Sequence, residues 1–447
     1  MRLILASAVL LCGLLGSASA PVRAQERAAP FLFGVGAHFA FPLTRGYVPR
    51  DMAPLLKDLG VDSFRDDVDA DAFTHPSAYR PIGSTLDRLN AAVYRRFGRP
   101  VLILRGPVIG EGASARQAPR DAAEREAFAD FAADLEHHTR PYAPLLEIWN
   151  EWNMQWRENP HLLGLLAGNE NPDYSPENYV AMARVVFDRL KRENPGALVL
   201  TGSIGDDPDW VWTRRALDAG LAETGDGISV HFYNHCQAPE QRTAENLVAR
   251  TEDFRRTVEE KAGPDAPPLY VTEFGWPNDN GACGIDLRRA ATNVAQYALW
   301  SATVDWIRGV WVYELRNSGK RPEDREDNFG LHDYANRPKP AACAYREAIA
   351  LSREIGGGRF RETAEGVRWL EGEDAEGRPV WAFWTTAADT ASRLDLPDNL
   401  SGVTGRELCA EGNPAGEDLV IGAMPLVLRP PAGSDPAAVV VAPAAAP

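Results

Sequence analysis

The chain has 447 residues, of which 45% are hydrophobic and 25% are charged, and this composition favours a large folded core over a disordered chain. The 63 acidic side chains outnumber the 47 basic ones, and the formal net charge of −16 at pH 7 excludes the basic footprint of a protein that binds nucleic acid. Beyond the N-terminus no apolar stretch approaches the ~18 residues that span a bilayer, so we expect no membrane span.

Residues 1–24 have the pattern of a secretory signal peptide. Arg2 provides the positive start, an apolar run extends from Leu3 to Leu15, and small residues precede the predicted cleavage ahead of Gln25. The sequence therefore predicts an exported protein, either periplasmic or secreted.

From residue 31 to residue 355, short apolar strands alternate with helix-like stretches. The predicted strands are Phe31–Phe39, Ser63–Val68, Pro100–Gly106, Leu145–Asn150, Leu198–Ser203, Ile228–Asn234, Pro268–Phe274 and Gly309–Leu315. The helix-like stretches are Asp121–His138, Glu177–Glu193, Ala244–Lys261, Asp286–Thr303 and Ala341–Glu354. This alternation predicts an α/β fold, a (β/α)8 TIM barrel. An open doubly wound sheet is the alternative, but Gly34–Phe39 lacks the third glycine of the phosphate-binding loop expected there.

The character of the sequence changes after Gly356-Gly357-Gly358. Short strand-like segments separated by Gly, Asp and Asn turns follow as far as Leu428, and they predict a small β-sandwich-like accessory domain over residues 356–429. The remaining residues, 430–447, are rich in Pro and Ala and are predicted to be a disordered tail.

Two glutamates stand at the ends of predicted strands with aromatic neighbours. Glu151 follows the fourth strand and Glu273 ends the seventh, and a carboxylate at the end of a buried strand is costly unless it is paired or functional. In a barrel of this kind the site lies at the C-terminal ends of the strands. Simple alternation would point Asn150 and Glu151 to opposite sides, so we expect the backbone to leave its regular pleat there. A pair of carboxyl groups is what glycoside hydrolysis requires, without a cofactor.

The segments around these glutamates also resemble a known group of enzymes. Trp149-Asn150-Glu151 and Thr272-Glu273-Phe274-Gly275-Trp276 resemble the retaining β-glycosidases of glycoside hydrolase clan A. A barrel followed by a β domain is most similar to family 39 and its relatives, which include xylosidases and bacterial exopolysaccharide glycosidases. The resemblance implies a carbohydrate substrate and a double displacement, with Glu151 as acid/base and Glu273 as nucleophile.

The resemblance implies roles for further residues. Arg65 would lie near the nucleophile, the His231-Phe232-Tyr233 segment would place Tyr233 in a hydrogen bond with it, Asn150 would hold the sugar 2-hydroxyl, and Trp311 would form an aromatic floor. Arg65 and Tyr233 would keep Glu273 ionised, whereas flanking Trp149 and Trp152 would keep Glu151 neutral.

Other side chains near the glutamates are judged from their position alone. Trp152 and Trp276 are the tryptophans best placed to stack on sugar, and His38 either lines the cleft or is a structural histidine. Glu147, four residues before Glu151, is predicted to be structural. His231, His235 and Cys236 are residue types that bind zinc, but no HExxH motif occurs and we predict no metal.

The cysteines beyond residue 24 are Cys236, Cys283, Cys343 and Cys409. They allow three pairings, and in an oxidising compartment at least one disulfide is expected. We favour Cys236–Cys283, because both lie in polar loops that closely follow predicted site strands.

Two other functions remain open at this stage. One is a non-catalytic carbohydrate-binding barrel that assists in exopolysaccharide handling, although such a protein has no need of the glutamate pair. The other is a transglycosylase, which would use the same residues and differ only in its acceptor.

Overall fold

The structure is a computed structural model. It describes residues 30–40, 45–70, 99–107, 117–156, 170–361, 363, 366–387, 390–400, 403–410, 419–436 and 439–443. The predicted signal peptide lies outside these ranges. Within the described residues, no helix is long and apolar enough to cross a membrane.

Eight parallel strands close into a barrel in chain order, which confirms the predicted architecture and shows that the open-sheet alternative is wrong. The barrel strands are β1 (Leu32–Gly36), β2 (Ser63–Asp69), β3 (Val101–Arg105), β4 (Leu145–Ile148), β5 (Leu198–Ile204), β6 (Gly227–Phe232), β7 (Leu269–Phe274) and β8 (Ile307–Val312). Each strand is almost entirely buried, because helices cover a parallel sheet from outside.

The described helices surround this barrel. They are α1 (Pro49–Leu59), α2 (Ala122–Thr139), α3 (Trp152–Trp156), α4 (Pro176–Glu193), α5 (Val211–Asp218), α6 (Ala244–Ala262), α7 (Leu287–Ser301) and α8 (Pro340–Glu354). Local sequence explains where they start: at α4, Ser175 accepts a hydrogen bond from the Asn178 backbone N–H at 3.2 Å, with Pro176 as the first helical residue.

The N-terminal end of the barrel is filled by an apolar layer that includes Trp311. This layer consists of Leu32, Val101, Leu145, Leu200, Tyr270 and Trp311. Trp311 is fully buried and donates a hydrogen bond from Nε1 to Ser63 Oγ at 3.1 Å. The prediction that Trp311 forms an aromatic floor for a sugar is therefore wrong, because its ring packs inside the opposite end of the barrel from the strand-end glutamates.

The C-terminal region forms two antiparallel sheets, in agreement with the predicted accessory β structure. Their strands are β9 (Arg359–Arg361), β10 (Val367–Glu373), β11 (Pro379–Thr385), β12 (Ser392–Asp395), β13 (Gly405–Glu407), β14 (Leu419–Ile421), β15 (Leu426–Leu428) and β16 (Val440–Pro443). One sheet has the order β13-β15-β11-β10-β9 and the other β14-β12-β16.

The prediction of a disordered tail over residues 430–447 is wrong for β16 (Val440–Pro443). This strand pairs antiparallel with β12, from Ser392↔Pro443 to Asp395↔Val440. Two causes favour the strand over disorder: the run from Val439 to Val441 has high β-propensity, and without it β12 would expose one row of backbone hydrogen-bonding groups.

Two disulfides connect distant parts of the chain. The Cys236–Cys283 bond joins the segments that follow β6 and β7 and confirms the favoured pairing. The Cys343–Cys409 bond joins α8 to the C-terminal sheets.

Candidate active site

The backbone leaves the regular pleat directly after β4, as expected. Trp149 and Glu151 both have positive φ angles, of 69° and 48°, and the Glu151 backbone N–H donates to the carbonyl of Ser203 at 2.9 Å. Because these left-handed residues flank Asn150, Asn150 and Glu151 are both brought to the C-terminal end of the barrel.

Glu273, at the end of β7, is held by two donors. Its Oε1 lies 2.5 Å from Arg65 Nη1, and its Oε2 accepts a hydrogen bond from the Tyr233 hydroxyl at 2.6 Å. Burial and the charge of Glu273 raise the pKa of Tyr233, so this hydroxyl stays protonated and donates. Both contacts agree with the places predicted for Arg65 and Tyr233.

Arg65 connects four residues of the site. Its Nε donates to Glu147 Oε2 at 2.5 Å and its Nη2 donates to Asn150 Oδ1 at 2.7 Å. Glu147 is fully buried and also accepts a hydrogen bond from Thr272 Oγ1 at 2.7 Å, which agrees with a structural role. Burial lowers the pKa of Arg65, but the charges of Glu147 and Glu273 outweigh it and hold the pKa above its usual value.

His231 lies between the two strand-end glutamates. Its Nδ1 is 2.8 Å from Glu151 Oε1, and its Nε2 is 3.2 Å from Arg65 Nη2. A guanidinium can only donate, so in the neutral imidazole Nε2 accepts and Nδ1 carries the proton that faces Glu151. Burial lowers the pKa of His231, whereas the charge of Glu273 and the hydrogen bond to Glu151 raise it above its usual value.

The pKa of Glu151 differs from the expectation. Burial raises it, but the hydrogen bond and charge of His231 lower it more, so that the pKa lies below its usual value. The expectation that Trp149 and Trp152 keep this carboxyl group neutral is therefore wrong. Both rings pack into the core and against each other, with centroids 5.0 Å apart, and His231 is the partner that sets the charge of Glu151.

No protein-family model and no curated protein matches the sequence, but solved structures share its fold. A family 39 glycoside hydrolase from Bacteroides cellulosilyticus WH2 matches with a TM-score of 0.67 and 20% identity over 90% of this chain and 81% of that one. A family 39 β-xylosidase from Caulobacter crescentus matches with a TM-score of 0.57 and 14% identity over 91% and 98%. A family 5 enzyme from Streptomyces cattleya, in complex with GlcNAc, gives 0.55 and 21% over 73% and 81%.

The fold is that of the family 39 and family 5 glycoside hydrolases of clan A. These identities are low, so the likeness concerns the architecture of the chain. In this clan A fold, Glu151 and Glu273 occupy the ends of strands four and seven, and the side chains around them come from β2, β4, β6 and β7.

Two tryptophans predicted to contact sugar have no open face for it. Trp152 is fully buried and packs against Tyr174 and Tyr179 at centroid distances of 5.1 and 5.4 Å, so its predicted role as a sugar platform is wrong. Trp276 is also buried, and its Nε1 donates to Asn234 Oδ1 at 2.8 Å. Trp276 thus lies beside the site and fixes the segment after β6.

The end of β8 contributes residues that the sequence analysis did not identify. Glu314 is fully buried, and its Oε2 lies 2.8 Å from His38 Nε2 and 2.9 Å from Ser318 Oγ. His38 is therefore a largely buried histidine held by a carboxylate, in agreement with the structural alternative. Tyr313, directly after β8, is half-buried, and burial and the charge of Glu314 raise its pKa. Its backbone N–H donates to the carbonyl of Phe274, the residue after Glu273, at 2.8 Å. Tyr313 therefore lies beside the end of β7, and its place at the end of the predicted eighth strand was the available signal.

Charged residues on the neighbouring strands are paired with each other. Arg105, at the end of β3, donates to Asp67 Oδ1 at 2.6 Å, and Asp66 Oδ1 accepts from the backbone N–H groups of Ala40 and Asp67. Burial raises the pKa of Asp67, but Arg105 lowers it more, and the carboxyl group remains ionised. This side of the barrel mouth therefore offers fixed donors and acceptors.

The glutamate pair could in principle also hold a metal ion. One donor atom each of Glu151, His231 and Glu273 lie within 4.8 Å of one another. However, the guanidinium of Arg65 is bonded to Glu273 and lies against His231, and this positive charge opposes a cation there. Cys236 is not available as a zinc ligand either, because its sulfur is bonded to Cys283.

Gly205, just after β5, gives the Glu151 side chain its space. A Cβ atom on Gly205 would lie 3.0 Å from both Cγ and Cδ of Glu151 and 2.9 Å from Met154 Cγ. The orientation of Glu151 thus depends on the absence of a side chain at this position.

Proposed function

We propose that this protein is an exported retaining β-glycoside hydrolase that acts on a polysaccharide or oligosaccharide by double displacement. The observation that carries the proposal is the proximity of two carboxyl groups from opposite sides of the barrel mouth: an oxygen of Glu151 lies within 4.8 Å of one of Glu273. Retaining glycosidases hold their carboxyl groups ~5–5.5 Å apart, whereas inverting enzymes leave ~6.5–9.5 Å for a water molecule.

Glu273 fits the role of nucleophile. Two donors, Arg65 and Tyr233, stabilise its negative charge, and its side chain is only 11% exposed. In the first step its carboxylate oxygen forms a bond with the anomeric carbon while the bond to the leaving oxygen breaks. A rigid, desolvated carboxylate is favoured for this step because it needs no reorganisation.

Glu151 fits the role of acid/base. Its side chain is 33% exposed, and it therefore has access to both the leaving group and water. Protonated, it donates to the leaving oxygen in the first step; ionised, it takes a proton from the water that releases the sugar from Glu273 in the second. Arg65 holds the Asn150 carbonyl oxygen, so the amide nitrogen of Asn150 is the group that donates to a sugar hydroxyl.

Two further observations support the proposal. The structures with the same fold include a β-xylosidase and an enzyme in complex with a sugar. The predicted signal peptide and two disulfides support export, because disulfides persist mainly in oxidising compartments.

The test is hydrolysis of a glycan panel that includes β-xylosides, β-glucans, β-mannans and the exopolysaccharide of the host. We expect the wild type to cleave at least one of them, and Glu151→Gln and Glu273→Gln to lose that activity. Glu376→Gln, in the exposed turn between β10 and β11, is the matched control. Binding without cleavage across the panel would reject the proposal in favour of a carbohydrate-binding barrel, and transfer to sugar acceptors would favour the transglycosylase.

His231→Asn is expected to move the alkaline limb of the kcat/KM profile to higher pH. His231 lowers the pKa of Glu151, so its removal raises that pKa, and the acid form of Glu151 then persists to higher pH. His137→Asn, on the exposed face of α2, is the control. A limb that stays in place or moves to lower pH would contradict this role.

Gly205→Ala is expected to reduce kcat by roughly 10–100-fold, because the added methyl group displaces the carboxyl group of Glu151 and small misplacements of a catalytic group are costly. Gly196→Ala, where the new Cβ would lie 3.4 Å from Asn194 Oδ1, serves as the control. If steady-state kinetics gave an unchanged kcat for Gly205→Ala, the orientation of the Glu151 side chain would not depend on the space beside Gly205.

A further inference from the structure

Phe329 is a buried residue in the segment that follows β8, and its ring contacts three aromatic side chains at the mouth of the barrel. It is only 5% exposed, and its ring centroid lies 5.8 Å from that of Tyr233, 5.2 Å from that of His235 and 5.3 Å from that of Tyr313. All three contacts are edge-to-face, an arrangement that aromatic pairs prefer. Phe329 thus joins the segment after β6 to the segment after β8, and we call these four residues the aromatic cluster.

The backbone on both sides of Phe329 is fixed by hydrogen bonds. The Gly330 backbone N–H donates to Asn317 Oδ1 at 3.0 Å. Lys339 Nζ donates to the same oxygen at 2.7 Å and to the Asn328 carbonyl oxygen at 3.0 Å. A Cβ atom on Gly330 would lie only 2.0 Å from the backbone nitrogen of Asn317, so the chain segments are in close contact there. The ring of Phe329 therefore projects from an anchored stretch of chain.

Tyr233 is the member of the aromatic cluster that reaches Glu273. It is half-buried, and its hydroxyl donates to Glu273 Oε2 at 2.6 Å. Its ring packs against Phe329 and His235, at centroid distances of 5.8 and 5.3 Å. The hydroxyl is at the far end of the side chain, so a small rotation about the Cα–Cβ bond moves it away from the carboxylate. Such a rotation needs room beside the ring, and Phe329 occupies part of this room.

His235 belongs to the aromatic cluster as an uncharged ring. Burial and the charges of Arg325 and Arg242 lower its pKa to about 3, so the imidazole carries no charge near neutral pH. Its Nδ1 has no hydrogen-bond partner among the described residues. His235 and Phe329 therefore act on Tyr233 by shape and packing, while the hydroxyl of Tyr233 provides the polar contact with Glu273.

We infer that Phe329 is a positioning residue for the reaction: by packing on the ring of Tyr233, it holds the Tyr233 hydroxyl against Glu273. The inference rests on the proposed function, because it concerns the residue that supports the nucleophile. The alternative is that Phe329 only fills space between the strand ends. Its loss would then lower the stability of the protein but leave the Tyr233 hydroxyl in place, so the position of this hydroxyl distinguishes the two.

The first test is the titration of Tyr233, followed by fluorine NMR of the full-length protein labelled with 3-fluorotyrosine. The resonance of Tyr233 is the one that is missing from Tyr233→Phe. Burial and the charge of Glu273 raise the pKa of Tyr233, so a side chain that leaves its place is freed from both influences and ionises at lower pH. We expect the apparent pKa of Tyr233 to fall by about one pH unit or more in Phe329→Leu. It should stay unchanged in the matched control Phe360→Leu, which removes an edge contact with Trp384 on the accessory sheet.

The second test is a double-mutant cycle in kcat on the best-cleaved glycan. We expect Phe329→Leu to lower kcat by roughly 10–100-fold, because small displacements of the groups that hold a reacting residue are costly. In the Tyr233→Phe background the same change should lower kcat by less than about threefold, because the hydroxyl through which Phe329 acts is already absent. Phe329→Met also replaces the ring by an apolar chain, and it serves for both tests if Phe329→Leu does not fold.

A Tyr233 titration that stays in place when the Phe329 ring is removed, or an equal loss of kcat with and without the Tyr233 hydroxyl, would overturn the inference. Failure here is distinct from failure of the proposed function. Cleavage of a glycan by the wild type, together with an unmoved titration in Phe329→Leu, rejects only the inference. A moved titration in a protein that cleaves no glycan of the panel rejects only the proposed function.

Discussion

Glu273→Gln is expected to reduce kcat on the best-cleaved glycan by roughly 10⁴-fold or more, because the amide cannot form the glycosyl-enzyme bond. The hydrogen bonds of Glu273 involve Arg65 and Tyr233, and a glutamine of the same shape keeps part of this contact, so the fold should persist. The measurement is steady-state kinetics beside a circular dichroism spectrum.

Glu151 provides the matched contrast for this first prediction. A substrate with a good leaving group needs no proton donor, so Glu151→Ala should retain its first step on an activated aryl glycoside. Added azide should then restore turnover and yield a β-glycosyl azide. With Glu273→Ala, azide should instead attack from the vacated side and yield the α-glycosyl azide. The same azide anomer from both variants would contradict the unequal roles of Glu151 and Glu273.

Glu147→Gln is expected to lower the free energy of unfolding by about 3–5 kcal/mol, because removing one partner of a buried ion pair leaves the other charge poorly compensated. Glu147 is fully buried and bonded to Arg65 Nε and Thr272 Oγ1. Arg65 also orients Glu273, so kcat should fall with stability. The measurement is chemical unfolding followed by tryptophan fluorescence.

The exposed change Glu376→Gln is the control for this second prediction and should have little effect on stability. If the free energy of unfolding of Glu147→Gln lay within about 0.5 kcal/mol of the wild-type value, Glu147 would not be the residue that holds Arg65 in place. The glutamate pair would then depend on its other contacts.

The sequence was sufficient to predict the barrel and the two strand-end glutamates, because both follow from local patterns. Most barrel strands are short and mainly apolar, although β2 carries four charged residues, and Glu151 and Glu273 directly follow or end apolar strands. The departure from the pleat at Asn150 was also predictable, since the alternation of side chains does not otherwise bring Asn150 and Glu151 to one ligand.

The partners of these glutamates were less predictable, because they depend on register and on contacts between distant residues. Trp311 and Tyr313 both belong to the predicted eighth strand, but alternation alone does not tell which aromatic residue reaches the mouth. Gly34 decides the matter: a Cβ there would lie 2.1 Å from the Trp311 ring, so this glycine makes room for the ring inside the barrel.

The charge of Glu151 depends on a contact across 80 residues, with His231. Its sequence neighbours Trp149 and Trp152 suggested a neutral carboxyl group, but the chain turns their rings into the core. The tail shows the reverse situation: its overall Pro and Ala content suggested disorder, while the short valine run before Ala442 pairs with β12.

The most direct test of the catalytic pair is the anomeric configuration of the first product, followed by proton NMR during cleavage of the best glycan in the panel. We expect the β-anomer to appear first and the α-anomer to grow only by mutarotation, because Glu273 and Glu151 act in two successive inversions. An α-anomer that appears first would contradict the double displacement.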